Sequence, residues 1–179
     1  MKKTIYGLVV LALLNGSAMA ASDKAIVLTG GVAEDAYALH VGIQKAFNPI
    51  WGFLNSPKIN VISEISIGGW RGRGDYQRKE NLVDLGVLSS LRYFPSGKEI
   101  GSFFMEGGIG IHLLNRTQIN EDRRFSTAFQ FGEILGLGWK LGVQRDSEIG
   151  LRIQHISNGG IKKPNSGINF AEIRWASSF

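Results

Sequence analysis

Cysteine is absent from all 179 residues, so the chain has no disulfide framework and no thiolate to ligate a metal or act as nucleophile. Proline is scarce at 4 residues while glycine reaches 24. Beyond residue 20 no apolar run approaches the ~18 residues that a membrane-crossing helix requires. Charge of one sign is also in short supply. The formal net charge is +5 with a pI near 9.6, and without Lys2 and Lys3 it falls to +3. So small a surplus gives no argument for nucleic acid. Neither a nucleotide-binding loop nor a metal-ligand cluster stands out, so the sequence predicts no cofactor and no metal.

The first twenty residues read as a leader. Lys2 and Lys3 form a positive start, Thr4 to Leu14 is mostly apolar, and Ala18-Met19-Ala20 is an A-x-A cleavage site. A signal peptide over 1–20 followed by one domain over 21–179 is the expected organisation.

What fills the rest is alternation. From Phe129 to Val143 the odd positions are Phe129, Phe131, Glu133, Leu135, Leu137, Trp139, Leu141 and Val143, and the even ones, Ile134 apart, are the small or polar Gln130, Gly132, Gly136, Gly138, Lys140 and Gly142. The same period of two runs through Val83–Tyr93 and Phe103–Leu113, which means strands. The segments extend over ten to fifteen residues, against about five or six in soluble sheets and ~9–11 for a membrane strand. The minority face carries pairable charges, namely Glu64, Asp84, Arg92, Glu106, Lys140, Arg152, Glu172 and Arg174. They suit a narrow lumen where they neutralise one another. Tyr37, Tyr93, Trp139 and Trp175 fall on the apolar face, as interfacial aromatics do.

The spacing predicts eight strands, over 24–33, 36–47, 58–70, 81–94, 101–115, 126–144, 147–158 and 168–179. The fold class is all-β, an eight-stranded antiparallel transmembrane β-barrel, with an interior filled by side chains. With both ends on the periplasmic side, Arg71–Glu80, Arg116–Arg124 and Gly159–Gly167 are outward loops. The predicted location is a Gram-negative outer membrane, whose outer leaflet is lipopolysaccharide.

Strand 7 breaks the pattern. Its lipid-facing positions run Ile149, Leu151, Ile153, then His155 and Ser157. Residues i and i+2 share a face, so an imidazole and a hydroxyl are neighbours, the pairing that a histidine-activated serine requires. The alternative is two polar residues at the membrane interface. Asn158-Gly159-Gly160 follows, and an asparagine amide with a freed backbone N–H makes an oxyanion hole. It reads equally as turn residues ending a strand.

The run His155-Ile156-Ser157-Asn158-Gly159-Gly160-Ile161-Lys162-Lys163-Pro164-Asn165-Ser166-Gly167-Ile168 resembles the signature of the lipid A 3-O-deacylases of the PagL type. Phe104-Met105-Glu106-Gly107-Gly108-Ile109-Gly110-Ile111 is similar to that family's fifth strand. The resemblance implies an esterase that removes the 3-O-linked acyl chain of lipid A, with Ser157 as nucleophile, His155 as base, and Asn158 with the Gly160 amide as oxyanion hole. Lipid A and the outer membrane are the implied partners, no metal is implied, and a homodimer stays open.

One position departs from the family. Its triad acid is a glutamate after the G-I of the signature, where this chain has Asn169. A hairpin centred near 162–163 brings Asn169 opposite His155 or Ser157. Asparagine accepts the imidazole N–H but adds no charge. Glu133, the one acid on the apolar face of strand 6, is the alternative acid. A short loop over Arg145–Ser147 would set Leu135 opposite Ser157 and Leu137 opposite His155, leaving Glu133 diagonal to Ser157 at ~7–8 Å. Parity excludes Glu172, which points inward. His40 and His112 read as polar filling of the lumen, and Arg71, Arg73, Arg78, Arg123, Arg124, Lys162 and Lys163 as loop cations available to phosphate. The competing class is a non-catalytic barrel (anchor, adhesin or resistance factor) or an inactive member of the family.

Overall fold

The computed structural model describes residues 23–49, 52–74, 77, 79–97 and 102–179. The expected leader lies outside the described residues. Eight antiparallel strands follow one another around a closed barrel. They are β1 (Lys24–Val32), β2 (Ala36–Phe47), β3 (Ile59–Gly72), β4 (Asn81–Tyr93), β5 (Phe103–Leu114), β6 (Phe129–Leu141), β7 (Ser147–Ser157) and β8 (Ile168–Ser178). Closure pairs β1 with β8, from Ala25 opposite Ser178 to Val32 opposite Ala171. No strand edge is left open, which removes the template for aggregation that an open sheet carries.

Period two decides what each side chain meets. In β4, Val83, Leu85, Val87, Leu91 and Tyr93 are exposed while Leu82, Asp84, Leu88, Ser90 and Arg92 are buried. Leu39, Ile65, Ile109, Leu135, Ile153 and Ile173 continue the exposed apolar belt around the outside. Leaving such side chains in water forgoes about 25 cal/mol per Å², so the belt suits hydrocarbon rather than solvent.

The lumen is packed by charge. Arg92 meets Glu148 at 2.9 Å and Glu106 at 3.0 Å, and Arg152 meets Glu106 at 2.5 Å and Glu64 at 3.5 Å. Arg174 closes the circuit to Glu64 at 3.5 Å and Glu148 at 3.3 Å. Three cations and three anions thus alternate in a closed ring. Above it His40 and His112 both bond Asp84, at 3.0 and 2.9 Å, and Gln154 holds the other nitrogen of His112 at 3.0 Å. The two lumen histidines are polar filling, as expected.

The loop end is sealed by an apolar cluster of Trp70, Leu114, Ile119, Phe125, Ile156, Ile168 and Phe170. Trp70 stacks edge-on against Phe170 at 5.0 Å and Phe125 at 6.1 Å. Ile119 and Phe125 belong to the β5–β6 loop, which therefore folds into the mouth of the barrel. Ile156, Ile168 and Phe170 anchor the tops of β7 and β8 inward. By alternation, His155, Ser157 and Asn169 are driven outward.

Two expectations are corrected here. Strand 6 was expected over 126–144 but spans Phe129–Leu141. At its start Phe125 is drawn into the mouth and the Ser126 hydroxyl donates to the Pro164 carbonyl at 2.7 Å. At its end the chain turns at Gly142, whose φ is 83°, and Arg145 is left-handed at 56°. The turn therefore occupies 142–146, with Leu141 opposite Ser147. That moves the β6–β7 register by four residues from the one a loop at 145–147 would give.

Candidate active site

The register collects the outward residues of three strands at one place. His155 lies opposite Asn169 on β8 and opposite Glu133 on β6. Its Nδ1 lies 2.7 Å from Asn169 Oδ1. Amide oxygen accepts only, so Nδ1 carries the proton and Nε2 is left as the basic nitrogen. The β7–β8 hairpin is the one expected from its centre.

Glu133 is diagonal to Ser157, as expected, though the residue it faces differs from the expected one. It is the direct cross-strand neighbour of His155, and Ser157 faces Phe131. Directly opposed residues have Cβ atoms about 4.5–5.5 Å apart, so the shifted register brings the acid nearer to the imidazole than the sequence suggested. Glu133 is exposed. His155 is thus flanked by a neutral acceptor and by a carboxylate.

Ser157 points outward by parity yet is only 9% accessible. The loop after it folds back: a Cβ built on Gly159 would lie 3.2 Å from the Phe131 ring. Phe131 in turn stacks edge-on with Phe129 at 5.0 Å. The serine therefore sits under a rim of aromatic surface, a suitable neighbour for an acyl chain. Its Oγ receives the Gly159 N–H at 3.4 Å rather than bonding His155. Unliganded sites often show such loose nucleophile–base contacts.

Asn158 is fully buried and organises the loop. Its Oδ1 receives the Gly160 N–H at 2.9 Å, its Nδ2 donates to the Lys162 carbonyl at 2.8 Å, and its own N–H reaches Asn165 Oδ1 at 3.1 Å. One Nδ2 hydrogen remains for another acceptor. The Gly160 N–H is already committed to Asn158 and serves an oxyanion only by sharing or exchanging that bond. Glu172 is buried in the lumen, as parity required.

The loop cations divide into two sets. Arg116 is paired with Glu80 at 2.6 Å, Arg73 lies over the Tyr37 ring at 5.0 Å, and Arg123 is bound to Asp35. Arg71, Arg124, Lys162 and Lys163 are exposed, and Arg78 lies outside the described residues. Arg123 is thus built into the protein rather than offered to phosphate. Among the described residues no group of three His, Asp or Glu is arranged to hold a metal ion.

A family model described as lipid A 3-O-deacylase (PagL) matches residues 36–178, which takes in β2 to β8 and every site residue above. The chain belongs to that family. The lipid A deacylase PagL of Bordetella bronchiseptica is 27% identical over 99% of this chain and 96% of its own length. The lipid A deacylase PagL of Pseudomonas aeruginosa is 25% identical over 93% of each chain. A crystal structure of the outer membrane enzyme PagL superposes with a TM-score of 0.66 at 19% identity, covering 87% of this chain and 99% of that one. That likeness is one of fold, and it agrees with the closed eight-stranded barrel. Asn169 is seated on the imidazole at the position where the resemblance implies a glutamate.

Proposed function

We propose that this chain is an outer-membrane esterase that hydrolyses the 3-O-acyl ester of lipid A, with Ser157 as nucleophile and His155 as base. Family membership supports the substrate, and the relatives named lipid A deacylases support the reaction. The observation that carries the mechanism is the His155 Nδ1–Asn169 Oδ1 bond at 2.7 Å, because it leaves Nε2 as the basic nitrogen of a ring on the same strand face as Ser157. In the first half-reaction Nε2 takes the Ser157 proton as Oγ attacks the acyl carbonyl carbon. The tetrahedral oxyanion is met by the remaining Asn158 amide hydrogen, with the Gly160 N–H released to it. Collapse breaks the ester C–O bond, and the sugar 3-oxygen leaves with the proton held by His155. Water, deprotonated by His155, then attacks the acyl-serine. The fatty acid departs and Ser157 regains its proton.

The outward site at the loop end of an apolar belt fits a substrate that is itself part of the leaflet. The acyl chain need not leave hydrocarbon to reach Ser157. Mass spectrometry of lipid A from cells with and without the protein tests the reaction. Ser157→Ala and His155→Ala are each expected to abolish release of the 3-hydroxy fatty acid, with barrel assembly, read by heat-modifiable gel mobility, unchanged. Substantial deacylation by a folded Ser157→Ala protein would eliminate serine catalysis.

A further inference from the structure

Three loops meet at one guanidinium. Arg123, in the β5–β6 loop, directs Nε to the Asp35 carboxylate in the β1–β2 turn and Nη1 to the Gly167 carbonyl in the β7–β8 loop. Nη1 also lies 3.4 Å from the Ser166 carbonyl. Asp35 is buried and Arg123 half-buried. The Arg123 end is itself held, since its N–H bonds Asn120 Oδ1 at 2.7 Å and its carbonyl receives the Ile119 N–H at 3.1 Å. The Asp35 end is held too, its carbonyl receiving the Arg73 N–H at 2.8 Å. A planar fork fixed at both ends sets the position of whatever it grips.

What it grips is the backbone against the imidazole. The β7–β8 ladder ends at Ile156 opposite Ile168, so Gly167 lies just past the last pair. Its φ is 58°, and a Cβ there would stand 3.0 Å from His155 Cε1 and 3.5 Å from Nε2. Gly167 thus forms a wall on the edge of the ring that bears the basic nitrogen. Two residues later the same backbone carries Asn169, which holds the opposite nitrogen.

We propose that Arg123, braced by Asp35, is a positioning residue for His155: it pins the Gly167 carbonyl and so fixes the ring edge that must meet Ser157. The inference rests on the serine–histidine reading for its effect on rate, but not for its effect on the ring. A misplacement near 1 Å costs up to about 100-fold. Arg123→Ala is therefore expected to lower kcat by about 10- to 100-fold with KM little changed. Arg123→Lys, which has one charge and no fork, should fall between, and Asp35→Asn should cost less than Arg123→Ala.

The second readout needs no turnover. In detergent-solubilised protein the Cε1–H resonance of His155, assigned by its loss in His155→Gln, is expected to move or broaden in Arg123→Ala while those of His40 and His112 stay. Unchanged kcat with an unmoved resonance would overturn the proposal. So would a loss confined to KM, which would make Arg123 a contact for substrate. Should Arg123→Ala disturb all three histidines, the milder Asp35→Asn decides by the same two readouts. Because the resonance reports the ring directly, the clamp stands or falls by it even where an active Ser157→Ala has removed the serine reading.

Discussion

His155 stands between two cross-strand neighbours of different charge, Asn169 on β8 and Glu133 on β6. Asn169 fixes the tautomer through Oδ1 at 2.7 Å but adds no charge to an imidazolium. Glu133, directly opposite on β6, carries the charge without a hydrogen bond to the ring. In the proposed mechanism the work of one triad acid would be divided between these two residues. Asn169→Ala is expected to lower kcat by about 100-fold, at the low end for a disabled general base, since it frees the ring to adopt the other tautomer. Asn169→Glu should preserve or raise turnover, because it unites acceptor and charge. Glu133→Gln should cost about tenfold, equivalent to ~1.4 kcal/mol of charge stabilisation, and the loss should shrink as salt screens the exposed wild-type carboxylate. Release of 3-hydroxy fatty acid against ionic strength checks all three. A large loss at Asn169 with none at Glu133 would make the chain a pure Ser-His-Asn enzyme, and the reverse would place the acid on β6.

Among the elements, the β6–β7 hairpin is where sequence and structure part. Strand existence and facing were legible throughout, because period two means strands, and their length, pairable lumen charges and interfacial aromatics turn the apolar face outward. The β7–β8 register was legible as well, since the glycine-rich loop centres the hairpin near 162–163. The β6–β7 register was not, because alternation is indifferent to a shift by an even number of residues. Gly142 breaks the tie, and its left-handed φ is invisible in a run where Gly132, Gly136 and Gly138 already share its parity. A Cβ at Gly142 would lie 2.8 Å from Asp146 Oδ1 at a φ of 83°. Gly142→Ala is therefore expected to lower unfolding stability by more than about 1 kcal/mol, measured by urea titration in detergent, while activity per folded barrel is retained. Arg123 was read as a loop cation for the same kind of reason. A charge in a loop is solvated by default, and only the inward fold of Ile119 and Phe125 turns this one toward Asp35 and Gly167.

At the scale of the barrel, the closed ring of Arg92, Glu106, Arg152, Glu64, Arg174 and Glu148 draws on β3, β4, β5, β7 and β8. Desolvating six charges is costly, and the alternation offsets that cost because each ion has two partners of opposite sign. Removal of one member is then worse than removal of a matched pair. Arg152→Leu leaves Glu64 and Glu106 with one arginine each and strands Glu172, which lies opposite Arg152 on β8. The expected loss is about 3–5 kcal/mol of stability, read as an earlier urea midpoint and a lower temperature for the heat-modifiable band shift. Arg152→Leu combined with Glu106→Leu should recover part of it, since one buried acid goes with the base. Activity per folded molecule should stay near wild type in both. The Ile156, Ile168 and Phe170 layer of the apolar seal lies inward of the strand tops that carry His155, Ser157 and Asn169 and holds their facing whatever the ring does. A variant that kept its stability but lost turnover would reverse this division. The ring would then be what orients β7, and the seal alone would not suffice to aim the site.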